Sequence, residues 1–442
     1  MSGVLFLVSL ALLAACLAVR AISSKAVPRV ATRGVAVLQQ GFDKTESVKP
    51  SATLAFIPTP PSDHALTPAN IDVHEARDHI YGNKVIRHPY HQTMAHQQMQ
   101  PADWIEPDKN YKSDLEWKAK VLKAQGKAVC DVLPDCEEAC GEMLILLSEW
   151  LVARYPELYE YEAGDKRGIR NLVTGETHAL YIEDRARRGV EALRVISRLV
   201  QDDFLIARPS SSEDGSWICA GGLVCFPGFY LVSHKIGLSL HDTHAPVPQF
   251  NEKILRSVER SLTRLKPEAP IERTSWEIVD DPDHLFWAPM AGPLPTEPGR
   301  NGAVAVPMMP EHRTGRPNDA CVTENPADLV LRLDHQTFIK LPKSGCVFFG
   351  IHPMRRKLSE LATLPLLPAL LLKVHEEAPA DLMEYKAAPL YSASVLPYLK
   401  KLHNQQIAEG LIRGDEDPSD FRTAMRAQWG DHAANVANRH ES

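Results

Sequence analysis

The sequence predicts an α+β fold with an antiparallel sheet and packing helices, preceded by a membrane segment. Two amphipathic helical patterns come first, and apolar runs of strand length follow them. No strand-helix-strand alternation joins the two kinds of element, as it would in a doubly wound sheet.

From Val4 to Val19 every residue except Ser9 is apolar, and no charged side chain precedes Arg20. This run approaches the ~20 residues of a bilayer span. Arg20, Lys25, Arg29 and Arg33 all follow it, which by the positive-inside rule leaves the body in the cytosol. Residues 1–21 are therefore expected to be a single-pass anchor, with the endoplasmic reticulum as its membrane. A cleaved secretory signal ending at Val19-Arg20-Ala21 is the alternative, although the chain has no Asn-X-Ser/Thr acceptor. Residues 22–85 carry Pro, Ser, Thr and Asp without sustained periodicity, so a largely disordered linker is expected before a body spanning 86–412.

Within the body, Cys140, Met143, Leu144, Leu147 and Leu151 share one face of a helix expected over Glu137 to Arg154, before Pro156. A second helix is expected from Glu183 to Gln201, with Ala186, Val190, Leu193, Ile196 and Val200 as its buried stripe. Phe204-Leu205-Ile206 and Trp217 to Phe226 read as a hairpin with a longer loop. A helix with Ile254, Val258, Leu262 and Leu265 inward leads to a strand from Arg273 to Val279. Residues 288–326 form a Pro/Gly-rich insertion. Leu329, Leu331 and Leu333 then alternate with other side chains, and Cys346 to Ile351 returns across Leu341-Pro342-Lys343-Ser344-Gly345 as an antiparallel partner. Residues 413–442 are a tail.

An apolar fraction of 44% fits a packed core, and a net charge of -7 gives no electrostatic reason to expect nucleic acid. Phosphate-binding GxxxxGK, GxGxxG after a strand and the GxSxG elbow are all absent from the sequence. Cys130, Cys136 and Cys140, spaced by six and four, and the scattered Cys16, Cys219, Cys225, Cys321 and Cys346 read as buried reduced thiols. His74 and His79 are five apart, whereas a zinc-protease helix needs four to keep both on one face, so they read as loop residues.

The densest chemistry lies between Cys225 and Pro248. Pro246 and Pro248 stiffen the segment that follows His244, so this imidazole is held in one place. A haem iron needs such a nitrogen over an apolar slot, though a hydrogen-bonded turn histidine has the same surroundings. His241 is expected to support it or to be exposed. No Cys-X-X-Cys-His occurs, so a haem would be held without covalent attachment. Arg332, His335 and Lys340 on a later strand are candidates to pair with its propionates, with salt bridges on a solvated strand face as the alternative.

Five motifs in register carry a resemblance. They are Pro101-Ala102-Asp103-Trp104-Ile105-Glu106 with Tyr111; Arg198-Leu199-Val200-Gln201-Asp202-Asp203; Cys225-Phe226-Pro227 with Lys235-Ile236-Gly237 and His244-Ala245-Pro246-Val247-Pro248; Arg264-Leu265 with Pro270, Arg273 and Trp276-Glu277-Ile278; and Leu331 to Thr337 with Leu341 to Gly345 and Phe348 to Ile351. Over roughly residues 88–400 the chain resembles the haem-dependent oxidative N-demethylase alpha-subunit-like proteins.

The resemblance implies a PAS-like sheet, haem b, and dioxygen-dependent oxidation of an N-methyl group with release of formaldehyde. It also implies an electron-donating flavin and iron-sulfur reductase, a small amine or metabolite substrate, and His244 as the axial ligand to iron. His335 and His352 stand where the family commonly has basic residues, usually arginine. They are expected to be catalytic residues of a distal pocket tuned to a less anionic substrate, with exposed strand positions as the alternative. Other functional readings are a haem sensor or carrier without catalysis, and a scaffold that has lost haem.

Overall fold

The computed structural model describes residues 65–77, 86–162, 166–183, 185–212, 215–227, 230–279 and 325–420. These all fall within one unit, spanning 52–442. The anchor expected at 1–21, most of the linker, the insertion at 288–326 except its last two residues, and the tail after 420 lie outside the described residues. Among those described, no helix is long and apolar enough to cross a membrane.

Among the described residues, a seven-stranded antiparallel sheet organises the fold. Its strands are β1 (Gln97–Gln98), β2 (Cys130–Val132), β3 (Asp203–Pro209), β4 (Trp217–Leu223), β5 (Ile271–Val279), β6 (Val330–Lys340) and β7 (Val347–Lys357). Their order across the sheet is β1-β5-β6-β7-β3-β4-β2. The helices are α1 (Tyr111–Gln125), α2 (Glu137–Arg154), α3 (Gly189–Leu199), α4 (Leu240–Thr243), α5 (Leu255–Arg264), α6 (Leu367–Glu377), α7 (Ala380–Tyr385) and α8 (Ala388–Ala408). The α+β class and both expected antiparallel pairs are present.

Helix α2 has the bounds its apolar stripe predicts. Helix α3 begins at Gly189, later than the expected Glu183, because Tyr181–Ile182 and Arg185–Ala186 pair as a short ribbon. Ala186 is in phase with the helical stripe only by coincidence, and Gly189 takes a φ of 55° that interrupts the chain there. In β4, Gly221 has a φ of 150°, and a Cβ at that position would overlap the Asp131 carbonyl and Val132. The missing side chain lets β2 close on the sheet beside the register shift at Ile206/Ala207.

Two core clusters lie on helix-covered parts of the sheet. Phe204, Ile206 and Phe348 pack with Met143, Leu144 and Leu147 of α2. Ile278, Leu331 and Leu333 pack with Leu370 and Val374 of α6 and Val395 and Leu399 of α8. Strand alternation sends Arg273, Ser275, Glu277, Arg332, Asp334 and Gln336 to the other side, where they face a cavity.

Part of the expected linker belongs to this body, since Leu66 and Ile71 are buried in the first cluster. Arg77 pins the segment through ion pairs to Asp103 at 2.8 Å and Glu272 at 3.1 Å. The start of the expected tail is also packed, with Asp417 lying 3.7 Å from Lys373 on α6. Six cysteines, at 130, 136, 140, 219, 225 and 346, are buried and free, as the sequence suggested.

Candidate functional site

A cavity of about 290 Å³ lies between the sheet and the segment that runs from Val224 through α5. Its volume is near the lower end of the range for small-molecule and cofactor sites. Phe226, Val247, Phe250, Phe338, Phe349 and Ile351 supply apolar walls, while α7 closes one side through Leu382 and Tyr385.

His244 is the histidine in this wall. The local sequence builds its position in steps. Ser239 caps the single turn of α4 by accepting from the Asp242 amide at 3.0 Å, and His244 ends that turn, its amide donating to the Leu240 carbonyl at 3.2 Å. Val247 then donates back to the His244 carbonyl at 2.8 Å, and Gln249 turns the chain through a left-handed φ of 63° into Phe250.

The Phe250 ring stacks on the imidazole at a centroid distance of 4.0 Å and an interplanar angle of 9°. Nδ1 of His244 lies 2.9 Å from the Leu240 carbonyl oxygen and 2.9 Å from the Thr243 hydroxyl. A carbonyl only accepts, and the Thr243 hydroxyl already donates to it, so Nδ1 carries the proton. Nε2 on the opposite edge of the ring keeps its lone pair. Burial, with Lys235 and Arg273 adding to it, pushes the His244 pKa down to about 3, which keeps the ring neutral.

His234 shows the opposite tautomer. Its Nδ1 accepts from the Leu231 amide at 3.1 Å, which leaves the proton on a buried Nε2 without an acceptor. It is not among the cavity-lining residues.

The expected propionate partners separate. Arg332 does line the cavity, but its Nε is 2.7 Å from Asp334 and 3.5 Å from Glu277, and its Nη2 donates to the Phe226 carbonyl at 2.9 Å. Its charge is therefore matched by its own strand and by the cross-strand neighbour Glu277. Lys340 is absent from the cavity wall: Nζ donates to the Thr263 carbonyl at 3.2 Å and lies over the Trp217 ring. His241 is exposed and hydrogen-bonded to Asp242.

His335 and His352 are cross-strand partners on the hairpin, as the short turn predicted. The expectation that they face the cavity is corrected, because alternation turns both to the helix-covered side. Neither is exposed. His335 Nε2 lies 2.8 Å from Glu272, and its Nδ1 is 3.4 Å from Glu106. His352 lies 3.3 Å from Asp202 and 3.7 Å from Asp108. Burial opposes charge on His352, but these two carboxylates overcome it and raise its pKa well above 6.5. The arrangement is a buried ion-pair network beneath the sheet, and Gln201 extends it by donating to Asp108 and Asp114, each at 2.8 Å.

Sequence reasoning did not single out Arg273 on β5 or Lys235 ahead of α4 in the cavity wall, nor Lys386 after α7, which donates to the Trp276 carbonyl. Lys235 is 6% exposed, donates to the Thr243 carbonyl at 3.0 Å, and lies 4.1 Å from the Tyr230 ring centroid. Burial pushes its pKa down to about 8. The only advance signal for Lys235 and Arg273 was their presence within the Lys-Ile-Gly and Arg273 positions of the resemblance.

The fold and this wall define an α+β protein with a slot walled by apolar side chains, one neutral histidine offering a bare nitrogen, and a buried lysine and a half-buried arginine beside it. The chain belongs to the family described as haem-dependent oxidative N-demethylase, alpha subunit-like, whose model matches residues 95–396. That span includes His244, Arg273, Lys235 and the whole β5-β6-β7 sheet region.

Proposed function

We propose that the chain binds haem b in this cavity through His244 and serves as the oxygen-activating subunit of an amine-oxidising, N-demethylating system. The observation that carries the reading is the His244 tautomer. Nδ1-H is tied to the Leu240 carbonyl, the ring is stacked on Phe250, and Nε2 is left as a neutral donor. Proximal histidines are held in this way, with the second nitrogen setting ring orientation and basicity.

The residues present fit a haem. Apolar side chains form the slot, one imidazole can bind iron, and Arg273 and Lys235 are cations without acidic partners among the described residues. Haem bound there would supply dioxygen activation and one-electron chemistry. The protein's own part is narrower. His244 would hold the iron, Phe226, Phe338 and Phe349 would keep water from the slot, and the Arg332 group with Glu277 and Asp334 forms the polar patch available to a substrate amine.

The reading includes a PAS-like description of the sheet, an electron supply from a separate flavin and iron-sulfur reductase, and membrane attachment through residues 1–21. The family match supports the oxidative chemistry, and the apolar run from Val4 to Val19 supports the attachment. The test is turnover of the haem-loaded full chain with a surrogate reductase and N-methylated amines. Formaldehyde released in step with dioxygen consumption supports the reading. A haem-loaded protein that is reduced and binds dioxygen but releases none across a broad amine panel would make it a haem sensor or carrier instead.

A further inference from the structure

We propose that Arg273 and Lys235 form a clamp for a carboxylate carried by the cavity's ligand. Arg273 projects from the cavity face of β5, where its cross-strand neighbour is the uncharged Gln336. Its Nε is buried and has no acceptor. Among the described residues neither Arg273 nor Lys235 makes an ion pair, and the only hydrogen bond of the Lys235 ammonium goes to a carbonyl.

The cavity's carboxylates do not serve these cations. Asp334 and Glu277 both lie against Arg332, and Arg332 already shares its charge between them. The surroundings of Arg273 supply no carboxylate either: the neighbours that act on it electrostatically are the Tyr90 phenol and a second cation, Arg87. A desolvated cation beside another cation is costly unless an anion completes the site. Arg273 and Lys235 both act on His244, whereas Lys386, the third cation of the wall without an ion pair among the described residues, lies over the Trp276 ring and donates to the Trp276 carbonyl; the first two call for a negative group on whatever fills the cavity.

The chemistry of that group follows from the donors. A planar guanidinium fork matches two coplanar oxygens, and Phe226, Val247, Phe250, Phe338 and Phe349 wall the slot opposite the polar Arg332 group, so the ligand carries a carboxylate together with an apolar part. Two sources have this chemistry: a haem propionate, or the carboxylate of an N-methylated amino acid. The choice between them rests on the haem reading above, whereas the clamp itself does not.

The experiment titrates the full chain, freed of haem, with haem and with haem dimethyl ester, followed by the Soret band, for the wild type, Arg273→Gln and Lys235→Met. A propionate clamp predicts that wild type prefers the free acid by about tenfold or more, and that either variant loses this preference while keeping the histidine-ligated spectrum. A substrate clamp predicts no such preference. In that case dimethylglycine perturbs the wild-type haem spectrum with at least about tenfold higher affinity than it does in Arg273→Gln, while trimethylamine binds both alike. If neither preference depends on Arg273 or Lys235, the clamp is wrong. If wild type takes up no haem at all, the haem reading fails on its own. Benzoate then decides the clamp: saturable thermal stabilisation of wild type that is lost in Arg273→Gln supports it, and no stabilisation of wild type overturns it.

Discussion

Replacing His352 by leucine removes the cation that Asp202 and Asp108 share beneath the sheet. Asp108 retains Gln201 at 2.8 Å and the Asn110 amide at 2.8 Å, but the Asp202 carboxylate has no other partner among the described residues. Asp202 is 1% exposed, so the substitution leaves a carboxylate buried and unpaired. Breaking one side of such a pair costs about 3–5 kcal/mol. At roughly 2 °C per kcal/mol for a body of this size, the melting temperature should fall by about 6–10 °C. Adding Asp202→Asn should recover more than half of the loss, because removing both partners is far cheaper than stranding one. The assay is thermal unfolding followed by circular dichroism, with a Soret titration alongside. A melting shift below about 2 °C would refute the energetic argument, and a changed Soret band in the folded variant would return His352 to the cavity.

Further outcomes follow from the same geometry. The stability gap between wild type and His352→Leu should be full below pH 6.5 and shrink as pH rises through the elevated folded pKa of His352, as urea unfolding across pH 6–10 would show. For Asp108, burial raises the pKa but His352, Gln201 and the Asn110 amide bring it to about 2, so its contribution should persist above pH 3.8 and be lost as pH falls toward 2. Phe250→Ala removes the ring stacked on His244 and should weaken haem affinity by up to about tenfold, measured by transfer of haem to an apoglobin. Lys340→Met should leave haem affinity unchanged in the same measurement, because Nζ bonds the Thr263 carbonyl outside the cavity wall. Gly221→Ala should cost about 1–3 kcal/mol in urea unfolding, since its Cβ would overlap the β2 backbone.

The elements whose burial is set by their own periodicity were legible. The α2 stripe from Cys140 to Leu151 gives the helix its observed bounds, and the alternation after Leu329 gives the β6-β7 hairpin. The His335/His352 pairing was also readable, since a short turn sets the register. Which face they occupy was not. Parity separates Arg332, Asp334 and Gln336 from His335, but the cavity side is decided by residues 224–265 folding over one face, a contact distant in sequence. The same limit hid Arg273. Its alternation with Ser275 and Glu277 marks a polar strand face, yet its lack of an acidic partner becomes visible only when Gln336 lies opposite and Glu277 lies against Arg332. The Arg198 to Asp203 motif reads as chemistry in sequence, but its buried side chains build the frame: Gln201 binds Asp108 and Asp114, and Asp203 accepts from the Cys225 and Phe226 amides.

The central proposal is that His244 Nε2 would hold the haem iron, and a haem titration of wild type and His244→Ala, repeated with added imidazole, tests it most directly. The account predicts a histidine-ligated Soret spectrum in wild type, its loss or strong shift in His244→Ala, and its return when free imidazole occupies the space left by the side chain. A folded His244→Ala protein that binds haem with the wild-type spectrum, without imidazole, would contradict it.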